Sequence, residues 1–115
     1  PYADLVAELR TFQRRVSRPD GLSLVGTMLN AATDPELVRL YRERVVAPRR
    51  AALRSILRRA GEEGLIDRDA DVELAVTMLT GNWYARALAG QGPPSRWAER
   101  TAAFVWRGLG GRARG

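Results

Sequence analysis

The sequence contains no cysteine, no histidine and no lysine. Without cysteine there are no disulfides, no thiolate nucleophile and no cysteine-ligated metal, which accords with a reducing compartment, so a cytoplasmic location is expected. Without histidine, general-base catalysis and zinc binding both lose their usual residue. Without lysine, every basic residue is arginine. Beside abundant alanine and glycine this is the mark of GC-rich coding, and it reduces what arginine content says about function. No apolar run approaches the roughly 20 residues of a membrane span, and no signal-peptide pattern follows Pro1. Because the chain opens on proline rather than methionine, a fragment or a processed product is expected.

What is present is ordinary for a globular domain. The 115 residues, 45% hydrophobic and 28% charged, suffice for one domain with its own core. A net charge of +6 invites a nucleic-acid reading. The arginines, however, are interleaved with glutamates, and only Arg107, Arg112 and Arg114 make a local excess.

The apolar periodicity is helical almost throughout, and no strand-like alternation appears. A first helix is expected from about Tyr2 to Ser17, with Leu5, Leu9, Phe12 and Val16 as its stripe. A second is expected over 19–32, burying Leu22, Val25, Met28, Leu29 and Ala32; Gly21 and Gly26 make it dependent on tertiary packing. A third is expected over 34–63. It begins at Thr33-Asp34-Pro35-Glu36, which reads as a capping box with proline in the first turn. A straight helix of that length would be about 45 Å long, against about 35 Å for a compact chain of this size, so a kink at Pro48 is expected. Gly61 and Gly64 supply its stop.

The fourth helix, over 71–89 and capped by Asp69 or Asp71, is apolar on two sides. Val72, Val76, Leu79 and Trp83 lie along one side. Leu74, Met78, Ala85 and Leu88 lie along the other. A loop at Gly90-Gln91-Gly92-Pro93-Pro94 leads to a fifth helix over 95–109. One face of that helix is Ala98, Thr101, Ala102, Val105 and Leu109, flanked by Trp97 and Phe104. The expected fold is therefore an all-α, five-helix bundle over residues 1–110 with a frayed tail at 111–115.

The stretch DPELVRLYRERVVAPRRAALRSILRRAGEEGLI from Asp34, then DADVEL, NWYARAL, a glycine-proline loop and a last helix ending RGL, resembles the C-terminal domain of TetR-family transcriptional regulators. The resemblance spans about Ala3 to Gly110. It implies an effector-binding and dimerising domain of a repressor, whose last two helices pair with those of a second copy. In such proteins DNA is contacted through an N-terminal helix-turn-helix domain, which this sequence does not contain. The nearest candidate, the second and third helices joined at Ala31-Ala32-Thr33-Asp34, has the acidic first turn Asp34-Pro35-Glu36 and would repel phosphates.

Two sites follow. The fourth helix carries more apolar surface than one subunit of this size can hide, so a homodimer is expected through Met78, Asn82, Ala85, Ala98, Thr101, Ala102 and Val105. A pocket for a small-molecule effector is expected among Phe12, Val16, Met28, Tyr41, Val45, Trp83 and Tyr84, since sites in helical bundles are mostly apolar. Asn82, an amide on an apolar helix, needs partners: its counterpart in a dimer, a ligand or a backbone carbonyl.

No cofactor or metal is expected. No nucleophile elbow, phosphate loop or metal-ligand spacing is present, and helix capping accounts for the carboxylates at Asp34, Glu36, Asp69, Asp71 and Glu73. Glu62, Glu63, Asp67 and Asp69 read as a solvated loop, so an enzyme is not expected. The alternatives are a purely structural dimerisation module, or a nucleic-acid module using Arg49, Arg50, Arg54, Arg58 and Arg59.

Overall fold

A computed structural model describes residues 1–17 and 34–111 of the chain. Among these residues there are helices and connecting turns and no strands. The helices are α1 (Tyr2–Val16), α2 (Pro35–Tyr41), α3 (Ala47–Glu62), α4 (Val72–Leu88) and α5 (Trp97–Gly108), with a π-helical turn, Arg42–Val46, joining α2 to α3. The expected helix over 19–32, including Met28, and the tail from residue 112 lie outside the described residues. The last described residue, Gly111, is still tied back by its N–H to the Trp106 carbonyl at 2.8 Å.

Helix starts follow from cap chemistry. Asp34 accepts from the Leu37 N–H at 3.0 Å, and Asp71 accepts from the Leu74 N–H at 3.1 Å. Each aspartate thereby satisfies one of the amides that a first turn leaves unpaired. Glu36 pairs with Arg39 instead of reaching back as the second arm of a capping box.

Helix ends use one motif three times. After α3, Leu65 N–H bonds the Ala60 carbonyl and Gly64 N–H bonds that of Gly61. The same pair of bonds recurs with Gln91 and Gly90 after α4, and with Gly111 and Gly110 after α5. Gly64, Gly90 and Gly110 hold positive φ, the left-handed conformation this helix stop requires.

The segment from 35 to 62 stays helical past Pro48. Proline offers no N–H, and in a regular helix its ring would press on the carbonyl four residues back. The wide turn immediately upstream, in which the Ala47 N–H reaches the Arg42 carbonyl, takes up that conflict. The molecule is 45 Å along its longest axis and only 28 and 19 Å along the others. A rod of this length therefore fits inside it, and the expectation of a compact globule near 35 Å is corrected.

The core draws on every long helix: Leu5, Leu9 and Phe12 from α1, Leu53 and Leu57 from α3, Val76 and Leu79 from α4, Trp97, Ala102 and Trp106 from α5. α1 lies against both α3 and α5. Tyr2 meets Trp106 edge-on with centroids 5.2 Å apart. Arg10 Nε donates to Glu99 at 2.8 Å, bridging α1 to α5, and Arg59 donates to Asp4 at 2.8 Å, bridging α3 to α1.

Candidate functional site

α4 divides its surface as its sequence pattern suggests. Ala75, Val76, Leu79, Thr80 and Trp83 are buried against the chain's own core. The opposite flank is open: Leu74 is 55% exposed, Met78 45% and Leu88 80%, and Phe104 of α5 beside them is 70% exposed. Single exposed apolar residues are common on protein surfaces, but contiguous apolar patches mark interaction sites.

Of these, Leu74, Met78 and Phe104 line the seam between α4 and α5. One hollow of about 360 Å³ lies toward the C-terminal end of α4, among Met78, Asn82, Arg86, Arg100, Thr101 and Phe104. A second of about 230 Å³ lies toward the other end, among Asp67, Asp71, Leu74, Met78, Phe104 and Leu109. They share Met78, Phe104 and Val105, so the two form one trough. Its middle is apolar, one end carries carboxylates and the other carries guanidinium groups.

The expected dimer residues divide between trough and core. Met78, Asn82, Thr101 and Val105 line the trough, and Ala85 is exposed. Ala98 and Ala102 are buried in the chain's own core, so their smallness serves packing within the subunit. Asn82 is satisfied internally: its Nδ2 donates to the Met78 and Leu79 carbonyls, and its Oδ1 accepts from Trp97 Nε1 at 2.7 Å. Leu74 and Phe104 were not among the expected contacts, although the two-sided apolar pattern of α4 had placed Leu74 on the open flank.

A second cluster lies inside the bundle. Phe12 of α1 stands edge-on to Trp83 at 6.3 Å and to Tyr84 at 5.8 Å, and tilted to Trp97 at 5.7 Å. Trp83 and Trp97 meet edge-on at 5.1 Å. Such offset and T-shaped contacts are the favoured aromatic geometries. The Arg49 guanidinium lies 4.6 Å over the Phe12 ring, a cation–π contact. Burial pushes the Tyr84 phenol above its ordinary value, while Arg49 beside it pulls the other way and Tyr41 adds to the rise.

Of the expected pocket residues, Phe12, Trp83 and Tyr84 converge, while Tyr41 is half-buried at the end of α2. Val16 is buried in the same core, Val45 is half-buried in the π-helical turn, and Met28 lies outside the described residues. Arg49 joins the cluster without having been expected there; its sequence signal, a cation on the inner edge of an arginine-rich helix, is shared by its neighbours.

The arginine face considered for nucleic acid is largely engaged. Arg54 Nη2 donates to Glu73 at 3.0 Å, Arg50 reaches the same carboxylate at 3.9 Å, and Arg59 holds Asp4. Among the described residues no group of three or more His, Cys, Asp or Glu is placed to hold a metal ion, and no helix is long and apolar enough to cross a membrane.

Among the described residues the fold is an all-helical bundle whose last two helices form a hairpin with an apolar trough along their seam. Residues 2–105 match the family model for the tetracyclin repressor-like C-terminal domain. The fold is similar to the crystal structure of the TetR family transcription regulator SCO0332, with a TM-score of 0.71 and 34% identity over 98% of this chain. The chain spans 62% of that regulator's length. No curated protein matches the chain. The chain belongs to the TetR family of transcriptional regulators, through its C-terminal regulatory domain.

Proposed function

We propose that this chain is the effector-binding and dimerising domain of a TetR-like repressor in the cytoplasm. Two copies pair through the α4–α5 seam, a small molecule binds within the bundle, and its binding is relayed to N-terminal DNA-binding helices. The observation that carries this reading is the open flank of α4, where Leu74 and Met78 remain exposed beside Phe104. Covering these side chains recovers roughly 1–2 kcal/mol each.

A second copy is the occupant the trough suits. With Asp67 and Asp71 at one end and Arg86 and Arg100 at the other, the surface complements itself when turned end for end, as an isologous interface requires. Effector control then works through two states of the dimer that the ligand stabilises unequally. The lever is effective because two recognition helices must be held about one DNA turn apart.

The absence of native cysteine makes the test clean. Met78→Cys, treated with a short bis-maleimide, is expected to yield a covalent dimer, whereas Ser55→Cys on the exposed side of α3 is expected to stay monomeric. Equal cross-linking of the two variants would remove the seam as the interface.

A further inference from the structure

An arginine withdrawn from water without an anion partner is costly unless something else meets its charge. Four arginines among the described residues are half-buried: Arg49, Arg50, Arg54 and Arg86. Arg50 and Arg54 share Glu73, and Arg86 donates to the Gly92 carbonyl at 2.9 Å. Among the described residues Arg49 has the Phe12 ring under it and the Tyr84 phenol at its side. No carboxylate of the described residues is within ion-pair distance of it.

The neighbours of Arg49 are of one kind. Guanidinium N–H groups only donate. The Tyr84 phenol, edge-on to Phe12 at 5.8 Å, also has a proton to donate. Beneath these donors lies a wall of aromatic rings, Phe12, Trp83 and Trp97, already in mutual contact. Donors above and rings below form a receptor for one kind of molecule: an oxyanion head joined to an apolar body. Arginine suits the head because its planar fork matches a carboxylate with two parallel hydrogen bonds.

We infer that Arg49 and Tyr84 form the anion-binding end of the effector site, and that the effector is an organic carboxylic acid whose apolar body lies along Phe12 and Trp83. This inference rests on the effector-binding reading above and narrows it to a chemical class. The acid binds as its carboxylate, Arg49 supplies the countercharge, and the Tyr84 hydroxyl donates to the same head. Arg49 stands on α3, Phe12 on α1 and Tyr84 on α4, so a ligand held there touches three helices at once and acts on their relative placement.

The test uses the 115-residue chain and three matched pairs: benzoate and benzyl alcohol, 2-naphthoate and 2-naphthylmethanol, decanoate and decanol. Binding is read by calorimetry for the unmodified chain, for Arg49→Met, which keeps an apolar stem, for Tyr84→Phe and for Arg50→Met. At least one acid is expected to bind tenfold or more tightly than its alcohol. Arg49→Met should abolish that preference while sparing the alcohol's affinity. Tyr84→Phe should reduce the preference, and Arg50→Met should leave it intact.

Acids and alcohols binding alike, or a preference that survives Arg49→Met, would overturn the anionic class while leaving effector binding standing. A preference lost equally in Arg50→Met would also overturn it, since net charge alone would then explain the effect. Failure of every probe to bind would count against both readings.

Discussion

The indole N–H of Trp97 donates to Asn82 Oδ1 at 2.7 Å and thereby ties the start of α5 to the middle of α4. The same amide donates to the Met78 and Leu79 carbonyls at 3.1 and 3.2 Å. Asn82→Ala strands the indole donor of a Trp97 that is only 1% exposed. An unsatisfied buried donor costs about 1–3 kcal/mol, which for a domain of this size lowers the melting temperature by roughly 4–12 °C. Calorimetry of the purified variant beside the unmodified chain checks this.

Two glycines should respond to alanine with opposite signs. Gly90 holds φ +75 at the end of α4, with nothing near the position of an added Cβ, so Gly90→Ala costs the left-handed backbone penalty of about 1–2 kcal/mol. Gly81 is interior to α4 and also has open space around it, so Gly81→Ala should stabilise by about 0.5–1 kcal/mol. Gly81 is on the same helix as the exposed flank, so its variant is best melted in a Phe104→Arg background, where no partner helix interferes. Denaturant melts giving equal signs for the two would contradict the conformations assigned here.

Stability should be insensitive to pH near neutrality and fall on the acid side. No side chain here has an ordinary pKa between about 5 and 8, because histidine is absent. A hydrogen bond from Arg10 holds the Glu99 carboxyl below its ordinary value of 4.5, and one from Arg54 does the same for Glu73. A carboxylate with a lowered folded pKa contributes stability that is complete above the unfolded value and is lost as pH falls through the folded one. Thermal melts should therefore hold level from about pH 8 to 6 and decline below about 4.5. Glu99→Gln should make the decline shallower, and salt should weaken the contribution of these partly exposed pairs.

The helix map was legible because its punctuation is chemical. Aspartates that can cap, and glycines that can turn left-handed, marked the ends of α3, α4 and α5 to within a residue or two. The two-sided character of α4 was legible for a similar reason, since polar residues are missing from both of its flanks. The rotation of α5 was harder to place. The small residues Ala98 and Ala102 suggest a surface for a partner helix, whereas both are buried in the subunit's own core. Small residues report that something approaches closely without saying what.

The π-helical turn before Pro48 was unreadable because a proline conflict can be relieved by a kink or by a widened turn at the same sequence. Arg49 could not be told from Arg50 or Arg54, since its burial depends on how α3 is rotated against Phe12.

Sedimentation equilibrium of the unmodified chain and of Phe104→Arg, at tens of micromolar, bears most directly on the claim that a second copy covers the α4 flank. The unmodified chain should sediment at twice its 12.7 kDa mass. Phe104→Arg should sediment at the single-chain mass with its helix content intact, because a charge in the trough would face desolvation without a partner. An unmodified chain that stays at the single-chain mass, or a Phe104→Arg variant that remains paired, would contradict the account.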